Sequence, residues 1–136
     1  MGFTGPKEDR DAIRELYARY SDASACADVE AFLACFADDG QWNTHIFERR
    51  GKVQLREQWD QLWENFDKVG FLTEIGSIEV QGDRAACRSV AREIIRLKSG
   101  GLYKLLGQYR DALVRENGVW LFDRRDYLPI AEEMPG

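Results

Sequence analysis

The sequence predicts an α+β fold: a cone-shaped barrel in which three N-terminal helices pack on a strongly curved, mixed but mostly antiparallel sheet. Three observations carry this. Apolar residues recur at three and four positions through roughly the first half of the chain, then at every second position to its end. Two of the strands so defined run about 14 residues, or roughly 45 Å, so they must twist and bend and offer a concave face for helices to cover. The length, 136 residues, is that of one domain able to bury roughly two thirds of its unfolded surface. Residues 1–136 are therefore read as a single domain.

The first helix opens near Pro6, whose missing N–H is unpaired in an opening turn anyway. Glu8 and Asp9 stand where the helix dipole favours acid. Ile13, Leu16, Tyr17, Tyr20, Ser24 and Ala27 form its inward stripe. Asp28 reads as the N-cap of a short second helix, with Val29, Phe32, Leu33 and Phe36 as its apolar face and Asp38-Asp39-Gly40 as its end. The third helix is predicted from Val53 to Asp67, burying Leu55, Trp59, Leu62, Trp63 and Phe66.

Strands are then expected over Phe71–Val80, Arg84–Leu97, Leu102–Arg115 and Val119–Tyr127, with a short earlier one over Trp42–Phe47. Asn117-Gly118 is the strongest short hairpin signal in the chain, and Pro129 is read as the stop to further pairing.

Composition excludes several classes. With 44% hydrophobic and 32% charged residues the chain is an ordinary globular one. It has no apolar run of about 18 residues to span a membrane, and its first residues lack the apolar core of a signal peptide, which points to the cytoplasm. The net charge of −5 disfavours nucleic acid, whose binding rests on phosphate neutralisation. Arg49, Arg50, Lys52, Arg88, Arg92 and Arg96 read as solvated rim and sheet-face cations. Cys26, Cys35 and Cys87 form no CxxC pair and suit reduced thiols. A single histidine, His45, leaves too few imidazoles for an ordinary zinc or iron site, so neither metal nor cofactor is expected.

The stretch from Asp28 to Trp42, Asp-Val-Glu-Ala-Phe-Leu-Ala-Cys-Phe-Ala-Asp-Asp-Gly-Gln-Trp, resembles the second-helix signature of SnoaL-like domains in the nuclear-transport-factor-2-like superfamily. Gly82-Asp83-Arg84-Ala85, Gly107-Gln108-Tyr109, and Gly118-Val119-Trp120 with Arg125 five residues on extend the resemblance over nearly the whole chain. The superfamily includes polyketide cyclases, ketosteroid isomerases, scytalone dehydratase, hexachlorocyclohexane dehydrochlorinase and the small subunits of ring-hydroxylating dioxygenases, so fold alone does not deliver function. The resemblance implies a cofactor-independent site for apolar substrates, and it implies dimers. It also implies an aspartate at position 25 and a sheet histidine near Thr73 or on the Arg84–Leu97 strand. Position 25 is Ala25 and the histidine is missing, so the usual carboxylate–imidazole pair is not in its place.

Other groups stand in. Glu93 shares a strand face with Cys87, Ser89, Ala91 and Ile95, where apolar neighbours would raise its pKa and suit it to acid–base work; a salt bridge to an arginine is the competing reading. Asp111 alternates with Tyr109 and so points the same way. Arg125 matches an arginine common in SnoaL-like sequences. A pair between Arg125 and either carboxylate reads as a working dyad or as a buried structural bridge. Asp22 lies opposite the Ile13–Tyr20 stripe and is expected in water. His45 alternates with Trp42 and Thr44, which are expected to face the pocket, and so is expected outside unless a bulge turns it inward. Tyr20, Ser24, Trp42, Trp59, Trp63, Phe66 and Tyr109 are the expected lining of a pocket for flat apolar molecules. The leading functional expectation is thus a small apolar or aromatic ligand, bound in the cone, with lyase or isomerase chemistry as the reaction class if the domain is an enzyme. The alternative is a non-catalytic structural subunit.

Overall fold

The computed structural model describes residues 2–136. Its first element is a two-residue strand, β1 (Phe3–Thr4), that the sequence reading lacks; it pairs in parallel with residues 78–79. The first helix, α1 (Lys7–Ala25), follows Pro6, and its Ile13, Leu16, Tyr17, Tyr20, Ala23 and Ser24 are buried. Ala27 is not on that stripe. It sits past the helix end, exposed, at a φ of 53°. There Ala27 N–H donates to Ser24 O and Asp28 N–H to Ala23 O, the paired bonds of a Schellman end with alanine in the left-handed position usually held by glycine.

Asp28 caps α2 (Val29–Ala34) by accepting from Ala31 N–H at 3.0 Å. This helix is shorter than expected. Phe36 and the Asp38-Asp39-Gly40 run belong instead to a strand, β2 (Phe36–Asn43), because their backbone pairs with the last strand. That pairing is parallel and bulged between Phe36 and Gln41. After β3 (Glu48–Arg50) comes α3 (Gly51–Trp63), which stops short of the predicted Asp67. Phe66 already stands in β4 (Phe66–Gln81), opposite Leu97.

The remaining strands, β5 (Arg84–Leu97), β6 (Leu102–Glu116) and β7 (Val119–Glu133), form the expected antiparallel meander with β4. Among the described residues the sheet has seven strands in the order β1-β4-β5-β6-β7-β2-β3 and is not closed. Pro129 does not end β7; it lies opposite Gly107 of β6, and pairing continues to Glu133. The reason is positional. β2 leaves β7 at Asp126, so beyond that point one side of β7 is an edge, where a residue without N–H costs no ladder bond.

Along β5 the residues Cys87, Ser89, Ala91 and Ile95 are buried while Arg88, Arg92 and Arg96 are exposed, the alternation of a sheet with one covered face. Helices α1 and α3 lie on the concave side, against β4, β7 and β2. The core there is dense in rings: Tyr20 lies within 5.4–6.2 Å, centroid to centroid, of Phe32, Phe36, Phe71 and Phe122. No helix among the described residues is long and apolar enough to cross a membrane.

Candidate functional site

Two adjoining chambers open inside the cone. The inner one, about 50 Å³, is walled by Tyr20, Ser24, Trp42, Trp59, Trp63, Phe66 and Tyr109 together with other apolar residues and Glu93. All seven side chains expected at the pocket thus meet there. They arrive from α1, β2, α3, the start of β4, and β6, so only the folded cone brings them together. Trp59 and Trp63, one helical turn apart, stack at 5.4 Å, and Phe32 lies 4.6 Å from Trp59.

The outer chamber, about 100 Å³, shares Trp42, Leu62, Phe66, Glu93 and Tyr109 with the inner one. It adds Phe47, Tyr103, Leu105 and Tyr127, which sequence reasoning missed. Tyr127 is the last residue of the strand expected over Val119–Tyr127. The signal was there: Tyr127 is two residues from Arg125, on the same strand face.

Glu93 stands in the wall common to both chambers. It is half-buried. Burial raises its pKa to about 7, with Arg125 pulling the other way. A carboxyl so placed exchanges its proton near neutrality.

Asp111 and Arg125 form a separate cluster behind the chambers. Both side chains are fully buried. Arg125 Nε donates to Asp111 Oδ1 at 2.9 Å and Arg125 Nη2 to Oδ2 at 3.0 Å, a bidentate fork, and Tyr17 donates its hydroxyl to the same carboxylate. The guanidinium is boxed by the rings of Tyr109, Phe122 and Tyr20, its carbon 3.8, 4.3 and 4.5 Å from their centroids. Burial opposes the charge on Arg125, but Asp111 and the surrounding tyrosines outweigh it and move its pKa up. Of the two pairings left open by the sequence, Arg125 takes Asp111.

His45 does not alternate with Trp42 on a strand. It sits in the turn between β2 and β3, borders the outer chamber, and places Nε2 2.8 Å from Glu132 Oε1 at the end of β7. Asp22 is exposed, as expected. Ala25 is exposed too, whereas its neighbour Ser24 is buried and donates its hydroxyl to Tyr20 O at 3.3 Å. From β4 the inner chamber receives Phe66, Val69 and Phe71, and no imidazole. Among the described residues no three His, Cys, Asp or Glu side chains converge as metal ligands.

The model of the SnoaL-like domain family matches residues 7–126. This chain is a SnoaL-like domain. No curated protein matches it in sequence, but solved structures do in fold. A proposed aromatic ring hydroxylase from Novosphingobium aromaticivorans superposes with a TM-score of 0.88 at 23% identity, over 97% of this chain and 94% of that one. A proposed scytalone dehydratase from the same organism gives 0.86 at 23%, over 94% and 88%. The type 2 hexachlorocyclohexane dehydrochlorinase gives 0.85 at 17%, over 95% and 90%. At these identities the likeness is one of fold.

Proposed function

We propose that this SnoaL-like domain binds a small apolar or aromatic molecule in the cone and moves a proton on it, in a lyase or isomerase reaction without a cofactor. The observation that carries the reading is Glu93, a carboxyl in an aromatic-walled cavity with a pKa near 7. It acts as general base in its ionised form and as general acid once protonated. Asp111 and Arg125 pair with each other, and in this reading they position Tyr109 and Tyr20 rather than meet the ligand. The chambers, about 50 and 100 Å³, favour a ligand of one ring, since a dry cavity of about 150 Å³ holds benzene. The domain works in this reading as a cytoplasmic homodimer.

The test begins with a thermal-shift screen of one- and two-ring hydrocarbons, phenols, ketones and lactones. A ligand at 100 times its Kd adds roughly 2.7 kcal/mol and moves the midpoint by several degrees. Hits are then assayed for turnover with the parent and with Glu93→Gln. Loss of turnover with binding retained supports the reading; undiminished turnover removes Glu93 from the mechanism.

A second reading, a non-catalytic subunit, has one observation in its favour: side chains fill most of the cone. A flat response across the whole screen, with co-purification of a larger partner, would decide for it.

A further inference from the structure

Inside the cone the free hydrogen-bonding capacity is uneven. Trp42 Nε1 and the Tyr127 hydroxyl are buried without a protein partner, and both side chains line the outer chamber that Glu93 borders. Each residue is more than nine-tenths buried, Trp42 at 7% exposure and Tyr127 at 6%. Three other unpartnered buried groups, Thr73 Oγ1, Ser89 Oγ and Arg125 Nη1, belong to residues that line neither chamber. The two carried by side chains that line the outer chamber are thus an indole N–H, which can only donate, and a phenol.

Their placement follows from strand register. Trp42 of β2 lies opposite Arg125 of β7, and Tyr127 stands two residues further along β7. Both side chains therefore leave the same sheet face, one diagonal step or about 8 Å apart at the backbone. The two rings converge from there on the chamber that Glu93 closes on another side. Tyr127 is held down by contact: its ring occupies the space above Gly107, where a built Cβ would come within 2.2–2.3 Å of Cε1, Cζ and OH.

Buried donors left unmade are costly, and folded proteins rarely keep them without a reason. Resting on the reading of the cone as a ligand pocket, we propose that Trp42 Nε1 and the Tyr127 hydroxyl form a two-donor seat for an acceptor oxygen on the ligand. The ligand class is then a one-ring molecule bearing a carbonyl, with the carbonyl oxygen on the seat and the ring among Phe47, Leu62 and Phe66. A hydrocarbon of the same shape leaves both donors unmet.

The probe pair is acetophenone and α-methylstyrene, which share a shape and differ by the carbonyl oxygen. Binding of each is measured by calorimetry to the parent, Trp42→Phe and Tyr127→Phe. Acetophenone is expected to bind the parent at least tenfold more tightly. Each substitution is expected to weaken acetophenone about fivefold and leave α-methylstyrene within twofold. The Trp42 indole N–H resonance, identified by its absence in Trp42→Phe, should move downfield with acetophenone alone. Tyr127→Phe keeps the ring over Gly107, so it tests the hydroxyl even where Trp42→Phe fails to fold. Equal binding of both probes, unaffected by either substitution, overturns the seat and leaves the apolar pocket standing. No binding of either probe overturns the seat, and a flat response across the whole screen overturns the pocket reading with it.

Discussion

Glu93 has an energetic signature as well as a chemical one. Its folded pKa of about 7 lies above the ordinary 4.5, so between these values the folded protein holds a proton that the unfolded chain has released. Stability therefore falls as pH rises through that window and stays lower above it. Glu93→Gln removes the charge that must be buried. It should match the parent near pH 4 and exceed it at pH 8, by an amount on the order of 3 kcal/mol at most. Urea unfolding at the two pH values checks this, and a gain at pH 8 with lost turnover would be the familiar exchange of stability for activity at a working site. The Asp111–Arg125 fork has the opposite character. Arg125→Met or Asp111→Leu alone should cost about 3–5 kcal/mol by stranding a buried charge, and the double substitution should cost well under the sum. A double-mutant cycle in denaturant measures that coupling. At this scale the sequence was informative where periodicity spoke: spacing put Tyr20 and Trp59 on the inward faces of their helices, and both are buried. Spacing could not say which carboxylate Arg125 would take, because Glu93 and Asp111 both face inward and only the register of β6 against β7 separates them.

The elements that departed from expectation did so where tertiary pairing overrides local preference. Phe36-Ala37-Asp38-Asp39-Gly40 has little strand propensity, yet it becomes β2 because β7 offers an open parallel edge beside it. Glu64-Asn65-Phe66-Asp67 carries no helix breaker. The helix stops at Trp63 because Lys98 N–H donates to Asn65 O and Phe66 registers with Leu97. The turn from α1 to α2 offers a direct test. Ala27 holds a left-handed φ of 53°, a conformation that disfavours any residue with a Cβ. Ala27→Gly should therefore stabilise the domain by about 0.5–1 kcal/mol, net of the greater freedom glycine has when unfolded. The midpoint of denaturant unfolding should rise with its slope unchanged.

For the whole molecule, the change of hydrophobic period was enough to read three helices followed by a bent sheet. The cone followed from strand length; that its sheet stays open did not. The convex face of that sheet was legible in part: alternation puts Val90 and Ile94 among arginines on the outer face, but spacing within one strand does not show which residues of other strands lie beside them. In the fold, Leu72 of β4, Val90 of β5, Leu106 of β6 and Leu128 of β7 are exposed and, by register, neighbours: Leu72 opposes Arg92, Arg92 opposes Leu106, and Gln108, which faces Val90, also faces Leu128. A patch of this kind fits the proposed homodimer. Arg92→Glu, in the middle of it, should shift the domain from dimer to monomer in sedimentation at micromolar concentration without changing its circular dichroism. A parent that sediments as a monomer would remove the dimer.

The ring of Tyr127 lying in the space where residue 107 would carry a side chain ties two positions far apart in the chain into one choice. A sequence with alanine or serine at 107 has to move the tyrosine ring at 127 from this position, and one that keeps the ring in place has to keep the glycine. Among relatives of this fold the two columns should therefore vary together: large at one only when nothing stands at the other. If the tyrosine hydroxyl seats a ligand oxygen, that covariation sorts the family by what its members bind, and a glycine on β6 becomes a readable mark of substrate preference.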